Sequence, residues 1–576
     1  MEDKSKPAGK KSWLAVCGRF LWLLFLAIFI CVVGLAVFAI VSNNGDKIIP
    51  EVILVIAISG ILLLSLIRVL FSRRFRRPVL FFLASLITLI ALFYAEEDWR
   101  GKQAWNRCQR EWAAQGEKID WQSAVPPAVP DEQNFAMAPV VASSYRQILD
   151  GKGHENHPSD TNVVNRLNFD LGDYPDQTGS WAMGTRTDLV RVQDYLRKLA
   201  AKTNLFILPP LPSTPADDVL QALKTFGQPL EELRQAAQLP ESRFPLEYDK
   251  EDPDAILLPQ LAAMNRSAKI LDLRAVAELQ DNQSAAAAAD VDLTLRLIAA
   301  IRSEPFLISH LVRIAMVENN LQPVWEGLAD QRWSDVQLSA LDAEFAKLNF
   351  AGDYLIAMSG EVAFGERYLD CLHHYRPEFQ LYANFSDDMK AEDFSVPAGV
   401  IKWIPAGWFY ENQANYANMM LKYYLPIADG ERKVISASAE YQADHELAVD
   451  TKHFVPYKLV EKLLVPAVGH CADKFARAQA SVDLARVAIA LERFRLVRGA
   501  YPVGLDVLSP QFLAEVPHDV IDGQPLHYRL EGNGQFTLYS VGWNGRDDGG
   551  TVVLDKGSGP HVNFKEGDWV WRYPTQ

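Results

Sequence analysis

Hydrophobic residues are concentrated in three long runs near the start of this 576-residue chain. The runs extend over Phe20–Val41, Ile48–Ile67 and Pro78–Tyr94, and Glu51 is the one charged residue inside them. At 1.5 Å per residue each can cross a hydrocarbon layer of about 30 Å, although the third barely reaches that length. The pattern therefore predicts three transmembrane helices within residues 1–95. A cleaved signal peptide is the alternative for the first run, but such apolar cores have only about 7–15 residues.

The basic residues predict how these helices are oriented, because short cytoplasmic loops carry most of the Lys and Arg. One basic cluster precedes the first run and another separates the second from the third: Lys4, Lys6, Lys10, Lys11 and Arg19, then Arg68, Arg73, Arg74, Arg76 and Arg77. Lys47 is the only basic residue in the loop after the first run, and the third run is followed by acidic residues. We expect a bacterial inner (cytoplasmic) membrane protein with a cytoplasmic N-terminus and with residues 95–576 extracytoplasmic.

Beyond the membrane region, apolar residues recur mainly at helical spacing. Residues 96–186 predict a membrane-proximal helix, with Trp99 and Trp105 as interfacial anchors, and then a loop rich in Pro, Asp and Asn. Residues 187–469 predict an α-helical domain, since Leu189, Val192, Leu196 and Leu199 share one helix face. Successive helices at 254–280, 283–302, 305–328, 334–349 and 351–374 favour an irregular, solenoid-like arrangement. Ser334 to Gln337 has the pattern of a capping box.

Composition narrows the classes of partner. The formal net charge is −15, which argues against nucleic acid because that partner requires a basic face. The lipid bilayer and other envelope proteins are the expected partners. Of five cysteines, Cys108, Cys371 and Cys471 lie beyond the membrane runs, and no CxxC motif is present. These three permit at most one disulfide bond among themselves.

One predicted helix carries a group of chemically capable side chains. Glu366, Asp370, His373 and His374 are three or four residues apart, so they fall on adjacent turns. Such a group can form a partial metal site or an acid–base pair. The alternative is a helix C-terminus whose histidines interact with the negative end of the helix dipole. Zinc-protease, nucleophile-elbow and phosphate-loop motifs are missing from the sequence.

The last hundred residues have a distinct pattern. Ala472–Arg498 reads as one long helix that ends at Gly499, and two alternating segments around Tyr528 and Leu538 predict a hairpin across it. Tyr501-Pro502, Val516-Pro517, Gly523-Gln524-Pro525 and the stretch from Leu538-Tyr539-Ser540 to Gly549-Gly550 complete the pattern. This segment resembles the globular head of type II secretion major pseudopilins. The resemblance implies an α+β domain over residues 470–576.

In that family an acidic loop binds calcium, and Asn544, Asp547 and Asp548 match it by position, with Asp555 as a further candidate. An ordinary glycine-rich turn is the alternative, because calcium needs six to eight oxygen ligands. The chain departs from pseudopilins in having no prepilin leader and no membrane run adjoining the long helix.

Together these patterns predict a membrane-anchored, mainly α-helical protein with three transmembrane helices, an extracytoplasmic solenoid-like domain and a C-terminal pseudopilin-head-like domain. The favoured function is a non-enzymatic scaffold or binding protein of the bacterial envelope, linked to secretion or pilus-like machinery. The alternative is an envelope hydrolase or metal-dependent enzyme with a site in the helical domain.

Overall fold

The described residues cover most of the chain beyond the first two apolar runs. The computed structural model describes residues 76–145, 165–169, 171, 179–203, 205–250, 253–375, 379–381, 394–396, 402–453, 455–532, 534–555 and 561–572. The chain divides into two units, Met1–Glu97 and Asp98–Gln576. The predicted membrane spans Phe20–Val41 and Ile48–Ile67 lie outside the described residues.

Helix α1 (Arg76–Ala114) contains the third apolar run. Most apolar side chains of this run are exposed. The exposed fraction is 56% for Leu80, 71% for Phe81 and 65% for Ile87. Among the described residues, α1 is the one helix long and apolar enough to cross a membrane. Exposed apolar surface of this length is costly in water but favourable in a hydrocarbon layer.

The remaining described α-helices belong to the second unit. In chain order they are α2 (Trp121–Ala124), α3 (Pro139–Ala142), α4 (Leu189–Lys202), α5 (Pro215–Leu223), α6 (Gly227–Ala236), α7 (Pro259–Gln280), α8 (Ser284–Ala300), α9 (Leu307–Ala329), α10 (Asp335–Phe345), α11 (Phe350–Tyr375), α12 (Ala406–Met419), α13 (Ala437–Asp450), α14 (Leu459–Gly469) and α15 (Ala472–Arg498). The helices α7, α8 and α9 contact one another pairwise. The prediction of a mainly α-helical chain is confirmed.

The strands are short, and most of them lie near the C-terminus. Antiparallel pairs are formed by β1 (Phe379–Leu381) with β2 (Phe394–Val396), by β3 (Ala428–Asp429) with β4 (Val434–Ile435), and by β7 (Val552–Leu554) with β8 (Val562–Gly567). A three-stranded sheet has the order β5 (His527–Leu530), β6 (Phe536–Ser540), β9 (Trp569–Trp571). The hairpin predicted around Tyr528 and Leu538 is confirmed, because these two residues face each other in the β5–β6 register.

Local signals explain where several helices begin and end. At the start of α10 the Ser334 side chain accepts from the Gln337 N–H and the Gln337 side chain accepts from the Ser334 N–H, which confirms the predicted capping box. Asp188 caps α4 by accepting from the Arg191 N–H. Helix α15 ends at Gly499, whose φ of +82° is a left-handed conformation that glycine adopts without strain.

Helix α15 lies in the middle of the second unit. It contacts α9, α10 and α11 on one side and β6 and β9 on the other. Gln479 Oε1 accepts from the first N–H of α11, at Phe350, over 2.8 Å, and Arg486 Nε lies 2.9 Å from Asp342 Oδ1 of α10. The C-terminal segment and the helical segment therefore share one hydrophobic core. The predicted domain boundaries at residues 186 and 469 stay a prediction.

The second half of α1 is part of this core. Trp105 is only 6% exposed, so its predicted role as an interfacial anchor is wrong, whereas Trp99 is 65% exposed. Gly101 faces Gly407 of α12 so closely that a Cβ atom at residue 101 would lie 2.1 Å from the Gly407 carbonyl oxygen. The Gly407 N–H also donates to Asp98 Oδ1 over 2.8 Å. The absence of side chains at the two glycines lets the helices meet.

The core also contains buried charges. Arg313 and Asp353 are both 0% exposed, and Arg313 Nη1 lies 2.6 Å from Asp353 Oδ2. Arg302 Nε reaches the other carboxylate oxygen over 2.9 Å. Burial alone would raise the pKa of Asp353, but Arg313, His310 and Arg302 bring it below its ordinary value. Asp353 is therefore an ionised link between α11, α9 and the turn that follows α8.

Candidate functional site

The predicted group on α11 is partly assembled. The nearest metal-ligating atoms of Asp370, His373 and His374 all lie within 4.8 Å of one another. The Asp370 side chain is 51% exposed and that of His374 59% exposed. Glu366, one turn earlier, is not part of this group. The structure thus brings together three of the four predicted side chains at an exposed helix end.

Aromatic rings and local hydrogen bonds position the two histidines. The His373 ring stacks at 5.5 Å from the Phe409 ring and packs edge-on at 5.1 Å from the Tyr410 ring. His374 Nδ1 lies 3.0 Å from the Asp370 carbonyl oxygen and 3.2 Å from Asp370 Oδ1. The rings of α12 therefore fix His373, while Asp370 orients His374.

Glu366 has a different environment. Burial, followed by the charges of Asp370 and Asp120, raises its pKa to about 7. Its carbonyl oxygen accepts a hydrogen bond from Gln413 Nε2 over 3.2 Å. The carboxyl group therefore takes up a proton far more readily than an exposed glutamate.

The acidic loop after β6 is held by hydrogen bonds among its own residues. Asn544 Nδ2 donates to Asp548 Oδ2 over 3.0 Å, and Asp547 Oδ1 accepts from the Gly549 N–H and from the Tyr539 hydroxyl over 2.9 and 3.0 Å. The Gly549 N–H, then the Tyr539 hydroxyl, lower the pKa of Asp547. These contacts also suit an ordinary turn, and calcium binding by Asn544, Asp547 and Asp548 stays a prediction.

Asp568, which precedes β9, organises the same loop. Its Oδ2 accepts from the Gly550 N–H over 2.7 Å and its Oδ1 from the Asp548 N–H over 3.2 Å. A carboxylate that accepts several backbone donors fixes the chain that carries them. The role of Asp568 was not predicted from the sequence, because this residue lies twenty positions after Asp548.

A cavity of about 530 Å³ lies between the helical segment and the C-terminal segment. The cavity is lined by one face of α7 and one face of α9. The turn Trp181–Met183 and the start of β8 form the rest of its wall. The lining residues include Asn265, Lys269, Asp272, Glu318, Gln322, Arg477 and Phe564. Ligand pockets in proteins have volumes of about 300–1,000 Å³, so this cavity has the size of a small-molecule site.

Asp272 is the most unusual group in this cavity. It is only 7% exposed, and its Oδ1 accepts from Asn320 Nδ2 over 2.8 Å and from the Thr294 hydroxyl over 3.3 Å. Among the described residues, no donor reaches its Oδ2. Burial raises the pKa of Asp272 to about 8, although the bonds from Asn320 and Thr294 act in the opposite direction. Asp272 is therefore mostly protonated at neutral pH.

Two amide oxygens of the cavity lining, like Asp272 Oδ2, have no hydrogen-bond partner among the described residues. Asn265 Oδ1 and Gln322 Oε1 are buried and receive no hydrogen bond from any described residue. Gln322 keeps its orientation because its Nε2 donates to the Thr185 carbonyl oxygen and to Glu326 Oε1 over 3.1 and 2.8 Å. A buried polar atom without a partner costs about 1–3 kcal/mol, and three residues of this cavity lining each carry such an atom.

An ion pair closes one side of the cavity. Arg477 Nε of α15 lies 3.4 Å from Glu318 Oε1, and the Arg477 guanidinium lies 4.1 Å from the centre of the Phe564 ring. The Ser481 hydroxyl donates to the same Glu318 oxygen over 3.1 Å. Burial raises the pKa of Glu318, while Arg477 and Ser481 oppose that effect. The C-terminal segment thus supplies a charged and an aromatic side chain to the cavity.

No family model, curated protein or solved structure matches this chain. The case for a function therefore rests on the geometry of its own residues. The pseudopilin resemblance of residues 470–576 stays a prediction.

The cavity residues were not predicted from the sequence, although one signal was present. Asp272 interrupts the apolar run Ile270-Leu271-Asp272-Leu273 in the middle of a helix. A buried carboxyl at such a position marks either a structural hydrogen-bond network or a site. Its contact with α9 depends on long-range packing and cannot be read from one helix alone.

Proposed function

We propose that this chain is a membrane-anchored, extracytoplasmic binding protein of the bacterial envelope, which takes a small, neutral, hydroxyl-rich ligand into the cavity between α7 and α9. The observation that carries the proposal is that three residues of the cavity lining, Asp272, Asn265 and Gln322, each have a buried oxygen for which no described residue supplies a hydrogen-bond partner. A saccharide of one or two rings supplies several hydroxyl donors in a compact body. Its hydroxyls also accept hydrogen bonds, which suits a protonated Asp272.

The charges around the cavity favour a neutral ligand over a cationic one. Arg477 pairs with Glu318 over 3.4 Å, and Lys269 is also part of the lining. Asp272 is mostly uncharged at neutral pH because burial raises its pKa to about 8. Neither Glu318, which is already paired, nor the mostly protonated Asp272 therefore offers an amine a free carboxylate.

The proposal of a membrane anchor is based on the apolar runs and on the charged residues that flank them. We propose three spans in residues 1–95, a cytoplasmic N-terminus and an extracytoplasmic second unit. The exposed apolar surface of α1 supports the third span, since Leu80, Phe81 and Ile87 are each more than half exposed. The positive charges before the first run and after the second support the orientation.

The rival function, an envelope hydrolase at Glu366, Asp370 and His374, has less support. Asp370 and His374 are both more than half exposed, and Glu366 lies apart from them. A catalytic group works best in a closed, water-poor setting that strengthens its electrostatic interactions. A link to secretion machinery remains a proposal that rests on the pseudopilin resemblance alone.

Calorimetric titration of the full-length protein in detergent with a panel of monosaccharides and disaccharides tests the binding proposal. We expect one saccharide class to bind at one site per chain. Asn265→Leu and Gln322→Leu each remove an acceptor and should weaken binding at least tenfold. Gln442→Leu is the matched control, because Gln442 is exposed on α13 and is not part of the cavity lining. If no saccharide binds, or if aliphatic amines bind in preference, the proposal fails.

Reporter fusions test the topology separately. A phosphatase that is active only outside the cytoplasm should be active when fused after Glu97 and inactive when fused after Arg74. Activity after Arg74 would overturn the proposed orientation without bearing on the cavity.

A further inference from the structure

We propose that Asp370, His373 and His374, at the end of α11, bind one divalent transition-metal ion. This site is separate from the cavity and does not depend on the proposed saccharide ligand. The nearest ligating atoms of the three side chains already lie within 4.8 Å of one another. They come from two consecutive residues and one residue a turn earlier, so small side-chain rotations are enough to bring them together.

The donor set decides the class of ion. Imidazole nitrogens bind Zn²⁺, Cu²⁺ and Ni²⁺ well, whereas Ca²⁺ and Mg²⁺ prefer sites made entirely of oxygen atoms. Zinc–nitrogen bonds of about 2.0–2.1 Å and zinc–oxygen bonds of about 2.0–2.2 Å place tetrahedral ligands roughly 3.3 Å apart. Closing the present separations to that value needs a shift of about 1.5 Å, which rotation of the exposed Asp370 and His374 side chains can provide.

The surroundings prepare the site for a cation. His373 is held between the Phe409 and Tyr410 rings, so one ligand is already fixed in place. His373 and His374 lie in the last turn of α11, where the helix dipole presents partial negative charge. The Asp370 carboxylate adds a formal negative charge within the same turn. A dipositive ion thus gains from both the helix end and the carboxylate.

Three protein ligands leave at least one coordination position open to solvent. Catalytic zinc sites share that feature, but their open position lies in a shaped cleft. Here the Asp370 and His374 side chains are 51% and 59% exposed. The site accordingly fits reversible binding of an ion from the surrounding medium, and we assign no reaction to it.

The test uses full-length protein without a histidine tag, freed of metal by a chelator and titrated with Zn²⁺ by calorimetry. We expect one Zn²⁺ per chain for the wild type and none at this site for His373→Ala or His374→Ala. Asp370→Asn should weaken binding at least tenfold. His445→Ala, which removes an exposed histidine of α13, is the matched control and should bind like the wild type.

Two checks keep the result interpretable. His374→Ala changes a largely exposed side chain, so its melting temperature in chelator should equal that of the wild type even if His373→Ala disturbs the packing against Phe409. Bound Co²⁺ should give visible absorption bands typical of nitrogen and oxygen ligands in the wild type and lose them in His374→Ala. Wild-type protein that binds no Zn²⁺, or a His374→Ala variant that binds it unchanged, would overturn the proposal.

Discussion

Replacement of Asp272 by Asn should change how the stability of this protein depends on pH. The side chain is 7% exposed, and burial raises its pKa from 3.8 to about 8. Asn has nearly the same shape, and its Oδ1 can still accept from Asn320 and Thr294. Unlike Asp, however, it does not titrate, so the substitution removes one proton-binding group and leaves the local contacts in place.

The direction in which the free energy of unfolding changes with pH depends on whether the folded or the unfolded state holds the Asp272 proton. Between about pH 4 and pH 8 the folded protein keeps the Asp272 proton, whereas the unfolded chain releases it. The free energy of unfolding contributed by this group therefore falls as pH rises through that window, by about 1.4 kcal/mol per unit well below pH 8. From pH 6 to pH 8 the wild type should lose about 2 kcal/mol relative to Asp272→Asn, because the slope flattens near the folded-state pKa.

Urea unfolding in detergent, followed by tryptophan fluorescence at pH 6, 7 and 8, measures this difference. Other buried carboxyl groups titrate in both proteins, so the comparison of wild type with variant isolates Asp272. Asp194→Asn, at an exposed position of α4, is the control and should leave the pH dependence unchanged. A gap between wild type and Asp272→Asn that changes by less than about 0.5 kcal/mol from pH 6 to pH 8 would refute the reasoning.

Three further substitutions, the last with a matched control, test the packing of the second unit by thermal or urea unfolding. Asp353→Ala leaves the buried Arg313 guanidinium without its main partner and should cost about 3–5 kcal/mol; an unchanged midpoint would contradict this. Ser334→Ala removes the cap of α10 and should cost about 1 kcal/mol. Gly365→Ala places a Cβ 2.3 Å from an aromatic ring and should cost about 1–3 kcal/mol, whereas Gly227→Ala meets no atom within 4 Å and should be neutral or stabilising.

The features that sequence predicted correctly are those that depend on local interactions. Helix α15 begins at Ala472 and ends at Arg498 as predicted, because an apolar stripe specifies its length and Gly499 ends it. The capping box at Ser334 and the β5–β6 hairpin follow from residues within a few positions of one another. Such signals are independent of the rest of the fold.

The features that sequence did not predict depend on long-range packing. Trp105 has the residue type and the position expected of an interfacial anchor, yet it is buried in the second unit. Asp272 of α7 contacts Asn320 of α9, and the whole of α8 lies between these two helices in the sequence. Arg477 contacts Glu318 although the two residues are more than 150 positions apart along the chain. The His373–His374 group was visible because its members share one helix turn.

The C-terminal segment acquires a role that its pseudopilin resemblance did not imply. Helix α15 supplies Arg477 to the cavity and β8 supplies Phe564, and both stand opposite the polar face of α7 and α9. Because α15 is buried on most sides, a fragment that starts at residue 470 would expose an apolar helix face and would lose the Glu318 partner of Arg477. The segment therefore completes the proposed binding site only while it packs against the helical segment. Any ligand of the cavity must stabilise that packing, since it binds the folded chain and not the separated parts.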